Sequence, residues 1–441
     1  MATKGTSKAR PRLRFPEFRE AEGWKTERME KLYSFMRNNA LSRDKLNYES
    51  GVVKNIHYGD IHTKFSILFD ITKERVPYIN NTEELPDIDS EDYCGEGDII
   101  FADASEDTDD VGKSIEIVRL NRERLLSGQH TILARRKDNT LIVGFGGHLF
   151  RSRHIRSQIQ KEAQGTKVYA ISSTRLANIK IIYPNDKKEQ QKIADCLSSL
   201  DEVVDAQGRK VEALKVHKRG LMQELFPREG ETIPRLRFPE FSDGPEWQES
   251  ALGDISEIQL GKMLDGGKHT TGHLLPYLNN ISLRWNEVDT SNLPQMFFDD
   301  DELERFGLKA GDVIICEGGE PGRSAVWDGR FPDLKFQKAI HRVRFTVPFD
   351  PRLLVFYLEA VSGTNRFEML FTGGGIKHLT RETLATLKIP LISPAEQKRI
   401  ASCLSSLDAL IAVESEKLEA LKTHKKGLMQ QLFPAMDGVV Q

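Results

Sequence analysis

Cysteine is scarce: four in 441 residues, at positions 94, 196, 316 and 403, with no CxxC pair and no Cys/His group at zinc-ligand spacing. That excludes a disulfide scaffold or zinc finger and fits a reduced, cytoplasmic protein without a metal. No apolar run approaches the roughly 18 residues that a membrane helix needs. The basic N-terminus, Met1 to Arg14, lacks the apolar stretch of a secretory signal. Neither sign of charge dominates, since 63 basic against 66 acidic residues leaves −3. A local basic groove can still sit on a neutral protein. Catalytic signatures fail on inspection. Gly112-Lys113-Ser114 ends like a phosphate loop, but Asp107 stands where its first glycine belongs. Gly144-Phe-Gly146-Gly147 is not a dinucleotide fingerprint, and no Asn-Pro-Pro-aromatic tetrapeptide occurs.

What the chain does have is itself, twice. Pro11-Arg-Leu-Arg-Phe-Pro-Glu-Phe18 recurs unchanged at 234–241, and Trp24 recurs as Trp247. Residues 189–227 recur at 396–434 with 24 of 39 positions identical. Between these blocks the copies match weakly. Gly97-Asp-Ile-Ile-Phe101 resembles Gly311-Asp-Val-Ile-Ile315, and Gly165-Thr-Lys167 resembles Gly375-Ile-Lys377. Short Val/Ile/Phe/Tyr runs punctuated by Gly, Pro, Asn and Asp read as β-rich structure. Helices are expected near 353–358 and 380–386. The fold class is α+β: two unlike β-rich domains in a pseudo-twofold tandem repeat, joined by two long helices. The boundaries fall at 1–185 (with a basic N-terminal arm including Lys4, Lys8, Arg10, Arg12 and Arg14), 186–228, 229–393 and 394–441.

The repeated helical blocks carry apolar residues at steps of four and three. The first seam is Ile193, Leu197, Leu200, Val204, Val211, Leu214, Leu221 and Leu225. The second is Ile400, Leu404, Leu407, Ile411, Leu418, Leu421, Leu428 and Leu432. Gln207 and Lys218 interrupt the first seam where Glu414 and Lys425 interrupt the second. Such narrow stripes pair with each other as an antiparallel coiled coil, or jointly present one surface to two copies of a partner. Ser198-x-x-Asp201 and Ser405-x-x-Asp408 resemble capping signals. A break there would leave a rod of about 27 residues, about 40 Å at 1.5 Å per residue, matching about 12 base pairs at 3.4 Å each. Pro227 and Pro434 end the helices. Gly220 and Gly427 lie inside them, explained either by close approach of a neighbouring backbone or by local loosening.

This variable–helix–variable–helix plan resembles the specificity subunit of type I restriction-modification systems. Pro394-Ala-Glu-Gln-Lys-Arg-Ile-Ala401 leading into Leu404-Ser-Ser-Leu-Asp408 is similar to the family's conserved helical start. Ile56-His-Tyr-Gly-Asp-Ile-His-Thr63 resembles an early signature of some of its target-recognition domains. The resemblance implies a non-catalytic chain whose two domains each read half of a bipartite, asymmetric site in double-stranded DNA. The helices would fix the half-site spacing and dock two methyltransferase subunits, with two motor-nuclease subunits completing the complex. S-adenosylmethionine, ATP and Mg2+ would then belong to those partners, leaving this chain without a cofactor. A lengthened helix pair should lengthen the tolerated gap.

Residues able to pair with base edges or hold phosphates beside glycine-rich turns are the candidate DNA contacts. In the first domain they are Asn55, His57, Tyr58, His62, Lys113, Gln129, His130 and Lys167. In the second they are Asn279, Asn280, Arg284, Arg323, Ser324, Gln337, Lys338, Lys377 and His378. The competing readings are a coiled-coil adaptor bridging two copies of a protein partner without reading DNA, and a cryptic nuclease or methyltransferase active alone.

Overall fold

The fold is a computed structural model describing residues 9–81, 89–264, 270–373 and 377–434. Lys4, Lys8 and Gly375 lie outside the described residues. The chain divides into two compact units, residues 1–207 with 417–441, and residues 208–416. Four helices frame them: α1 (Arg153–Glu162), α2 (Lys187–Leu225), α3 (Pro351–Val361) and α4 (Pro394–Leu432).

Unit 1 is built on a five-stranded sheet in the order Tyr33–Met36, Thr131–Arg136, Ile99–Ala102, Ser114–Arg119, Leu68–Asp70. A second sheet places Val53–Ile56 parallel to Arg124–Ser127. Lys25–Arg28 pairs with Lys180–Tyr183. Unit 2 repeats this plan with Ser256–Leu260, Ile340–Phe345, Val313–Cys316 and Ser324–Val326 in the same order. There His273–Leu278 runs parallel to Lys335–Phe336, and Gln248–Ala251 pairs with Lys388–Leu391. The central strands Ile99–Ala102 and Val313–Cys316 are buried throughout, which explains their unbroken apolar runs.

The Gly-Asp pair before each central strand is structural. Gly97 (φ +88°) and Gly311 (φ +91°) take the left-handed turn that glycine alone enters at no steric cost. The next residue, Asp98 or Asp312, accepts a bidentate guanidinium from Arg135 or Arg344, the closest approaches being 2.8 and 2.7 Å.

The long helices differ from expectation. Each runs 39 residues without interruption, about 58 Å at 1.5 Å per residue, so the 40 Å rod and its 12-base-pair equivalent do not stand. Asp201 and Asp408 cap nothing. Within unit 1, Asp201 pairs with Lys425, while Ile193 and Leu197 share a core with Leu432. Within unit 2, Lys210 meets Glu414 at 2.5 Å, Lys218 meets Asp408 at 2.7 Å, and Leu225 shares a core with Ile400 and Leu404. Rising numbers on one helix meet falling numbers on the other, so the helices run antiparallel in each unit. All sixteen apolar seam positions are buried or half-buried, whereas Val203, Val216, Leu410 and Val413 on other faces are 41–61% exposed. The lysines that interrupt both seams thus meet the carboxylates that looked like caps. Among the described residues nothing lies within 4 Å of where a Cβ would stand at Gly220 or Gly427, so close approach of a described backbone is not their cause.

The strict repeat at the start of each copy has a shared use. Arg14 Nε and Nη2 donate to the Glu189 carboxylate, both at 2.7 Å, and Trp24 Nε1 donates to it at 3.1 Å. In unit 2 Arg237 donates to Glu396 at 2.7 and 2.9 Å, and Trp247 Nε1 donates at 3.3 Å. The glutamine after each glutamate ties the helix start to backbone. Gln190 joins Ile142 N and Thr140 O, and Gln397 joins Asp350 N and Ile392 O. Arg14, assigned by sequence to the basic N-terminal arm, is therefore a buried clamp.

Candidate nucleic-acid interface

In unit 1 the parallel strands Val53–Ile56 and Arg124–Ser127 deliver two segments to one end of their sheet. The first is the short helix Tyr58–Thr63, capped by His57, whose Nδ1 accepts from Gly59 N at 3.2 Å. The second is the turn carrying Gln129 and His130. The Tyr58 ring lies 4.6 Å from His57, 6.1 Å from His62 and 5.3 Å from His130. His62 Nε2 donates to Ala104 O at 3.1 Å, and Lys113 Nζ donates to His62 O at 2.9 Å. Lys167 is exposed on the turn leading into Tyr169–Ala170, which pairs with Ala104–Ser105. Seven of the eight expected residues of this unit thus fall on segments joined to one another.

Asn55 is corrected. Its side chain is fully enclosed, and Oδ1 accepts from Asn39 Nδ2 at 2.7 Å, so it braces the strand and does not reach a base edge.

Burial, then the charge of Arg43, holds the His57 imidazole below its ordinary pKa, which leaves Nδ1 free to accept at neutral pH. Arg43, which sequence reasoning missed, reaches His57 Nδ1 at 3.3 Å and Asp60 at 2.9 Å. Asp103, also missed, stands 3.3 Å from His130 Nδ1; burial raises its carboxyl pKa and His130 works against the rise. No local pattern marks Arg43, and Asp103 is one of 13 acidic residues between Glu83 and Gly112. The cluster offers ring faces, N–H donors and acceptors of the kind that read base edges. Among the described residues no group of His, Cys, Asp and Glu could hold a metal.

In unit 2, Asn279 caps the turn Asn280–Ser282 by accepting from Ile281 N and Ser282 N. Arg323 Nη2 donates to Asn280 O at 2.8 Å, and Nη1 pairs with Glu320 at 2.8 Å. Gly319 (φ +81°) sits where a Cβ would lie 3.1 Å from Asn280 Nδ2, so this turn requires glycine. Its neighbour Gly318 bridges to His378. Gln337 N donates to Leu278 O and Lys338 N to Lys262 O, which brings both beside the Asn279 turn. Arg284 is exposed on the hairpin that follows, and Lys377 is exposed but paired with Glu368.

Ser324 is corrected: it starts the last strand of its sheet and is fully enclosed there, so no base can reach it. Lys262 and Glu320, which position Lys338 and Arg323, were missed because their partners lie tens of residues away or across a turn.

The type I restriction modification DNA specificity domain, as a family, matches this chain at residues 22–215 and 245–423. The chain belongs to this family. Two relatives come from Methanocaldococcus jannaschii. The putative type I restriction enzyme MjaX specificity subunit is 26% identical over 431 residues, 93% of each chain. The type I restriction enzyme MjaVIII specificity subunit is 25% identical over 297 residues, 65% of this chain and 69% of its own. The solved type I S subunit from M. genitalium has a TM-score of 0.55 at 15% identity, covering 97% of this chain and 99% of the other. A chain solved in work on the assembly and conformational transition of the type I R-M system has a TM-score of 0.59 at 17% identity, covering 93% and 98%. At such identity the likeness is one of fold. The two family matches coincide with the duplication, each spanning one β-rich portion and the greater part of the long helix that follows it. The specificity subunit is the non-catalytic, recognising member of its system. Among its described residues no helix is long and apolar enough to cross a membrane.

Proposed function

We propose that each unit reads one half of a bipartite, asymmetric site in double-stranded DNA. His57, Tyr58, His62, Lys113, Gln129, His130 and Lys167 would serve the first half. Asn279, Asn280, Arg284, Arg323, Gln337, Lys338, Lys377 and His378 would serve the second. The paired helices α2 and α4 set the half-site spacing and dock two methyltransferase subunits, and two motor-nuclease subunits complete the restriction complex. S-adenosylmethionine, ATP and Mg2+ act on those partners. The observation that carries this reading is one sheet order used twice under unlike loops, with the base-reading residue types gathered on the loops.

The test is selection from random duplexes by the full chain with its methyltransferase partner. A motif in two parts with a fixed gap is expected, and exchange of residues 25–185 for another family member's block should alter one part only. A single contiguous motif, or changes in both parts, would overturn the reading. An adaptor without DNA reading would recover no motif.

A further inference from the structure

Unit 1 holds a trough with an excess of positive charge that the base-reading loop cluster does not use. A cleft of about 740 Å³ between α1 and the C-terminal turns of α4 is lined by Arg151, Arg153, Arg156, Lys422, Lys425 and Lys426. A second cleft of about 410 Å³ shares Arg153, Ser157, Met429 and Gln430 with the first and adds Arg12 and Lys161. Asp109 is the one carboxylate residue on either lining.

Little nearby cancels this charge. Lys425 pairs with Asp201, and Lys422 with Glu419 at 2.8 Å. Arg151, Arg153, Arg156 and Lys426 form no ion pair among the described residues. Arg156 Nη2 donates to the carbonyls of Asp109 and Val111, at 2.8 and 2.7 Å, while its Nη1 is buried without a partner. Arg151 Nε donates to Ser114 O at 3.0 Å. Carbonyls orient a guanidinium without neutralising it. Asp109 accepts from Gln160 at 2.8 Å and keeps its charge, Asp110 pairs with Lys113 at 3.3 Å, and both carboxylates offset part of the Arg156 charge. Burial, then the like charge of Arg156, lowers the Arg151 pKa to about 10, and the more distant Asp110 and Asp201 only partly offset the crowding.

The duplication supplies the control. Lys215, Lys218 and Arg219 stand in α2 where Lys422, Lys425 and Lys426 stand in α4, and they too line a cleft. In unit 2 the facing wall brings Glu359, and Lys218 is held between Glu359 at 2.9 Å and Asp408 at 2.7 Å. The same helix face is neutralised in one unit and left positive in the other.

We propose that this trough binds the sugar–phosphate backbone of duplex DNA, without reading sequence, as an anchor belonging to unit 1 alone. Two adjoining clefts match a linear polyanion better than one small anion, and guanidiniums fixed by carbonyls suit phosphate oxygens. The inference rests on the DNA-reading function proposed above. It adds a contact surface outside the base-reading loops.

The test titrates the full chain, with its methyltransferase partner, against duplexes with and without the selected motif over a KCl series. Arg153→Gln with Lys426→Gln removes two exposed charges, so the fold is retained. The slope of log affinity against log salt should become shallower by about 1.8, roughly 0.9 per lost phosphate contact. Both duplexes should weaken alike, and the selected motif should not change. Arg219→Gln, in the neutralised unit 2 cleft, should leave the slope at the wild-type value. An unchanged slope, an effect confined to the motif duplex, or an equal effect of Arg219→Gln would each overturn the anchor. So would loss of the protein partner with DNA affinity intact, which would make the trough a protein contact. Failure of the wild-type chain to bind any duplex would instead overturn the parent reading, and the anchor with it.

Discussion

Replacing Glu189 by Gln should cost about 3–5 kcal/mol of unit 1 stability, the range for breaking one side of a buried ion pair. The structure places the pair at that limit. The side chains of Glu189 and Arg14 are 1% and 7% exposed, and both Arg14 contacts are 2.7 Å. Gln keeps the shape and one acceptor but leaves a buried guanidinium without a counter-charge, facing one amide oxygen and the carbonyls of Ala21 and Glu22. Arg14→Met should cost as much, because the stranded carboxylate keeps only the Trp24 N–H. Removing both charges with Arg14→Met and Glu189→Leu leaves only neutral orphans, that indole N–H and the half-buried Ala21 carbonyl, at about 1 kcal/mol each toward the low end of the range for such groups. The double variant should therefore be more stable than either single one. Amide exchange of peptides covering 25–28 and 180–183, read against peptides of unit 2, separates this loss from any effect elsewhere. Glu396→Gln should produce the mirror result. A Glu189→Gln cost under about 1 kcal/mol, or a double variant as unstable as the sum of the singles, would refute the clamp.

Glu116 is fully enclosed, its Oε2 accepts from Gly147 N at 2.7 Å, and burial pushes its carboxyl up to about 7. A folded-state value above the ordinary 4.5 means its contribution is complete below that value and is lost as pH rises to about 7. Glu116→Gln should thus gain about 3 kcal/mol on the wild type between pH 4.5 and 8, read from urea midpoints across pH; parallel curves would contradict this. Lys218→Met removes the cation shared by two partly exposed carboxylates, Glu359 and Asp408, whereas Lys425→Met removes it from Asp201 alone. Thermal melts should show the first costing about 2 kcal/mol and the second about 1, and a reversed order would count against the pairing.

The repeat was legible because its identical positions form the frame. Arg14, Trp24 and Glu189 recur as Arg237, Trp247 and Glu396, and their contacts span 149–175 residues of sequence. Identity of residues could flag that frame but not reveal its geometry. The spacing Ser-x-x-Asp reads locally as a cap, yet Asp201 has its partner in a lysine 224 residues away, and the helix runs on through the position. Asn55 and Gln129 are both base-reading types on loop-bound segments. What separates them is burial: Asn55 is fully enclosed with Asn39 as its partner, and Gln129 is half-exposed. Residue type and glycine placement could therefore point to the right loops, but burial selected the members.

The same logic separates the two clefts. Lys426 and Arg219 are equivalent basic residues on duplicated helices, and nothing in their own segments tells them apart. The difference lies on the facing walls, where unit 1 sets Arg151, Arg153 and Arg156 and unit 2 sets Glu359. Duplication kept the helix face and divergence set its charge. An asymmetric reader needs some feature that distinguishes its two ends, and a backbone anchor present in one unit only would supply it independently of the bases each unit reads.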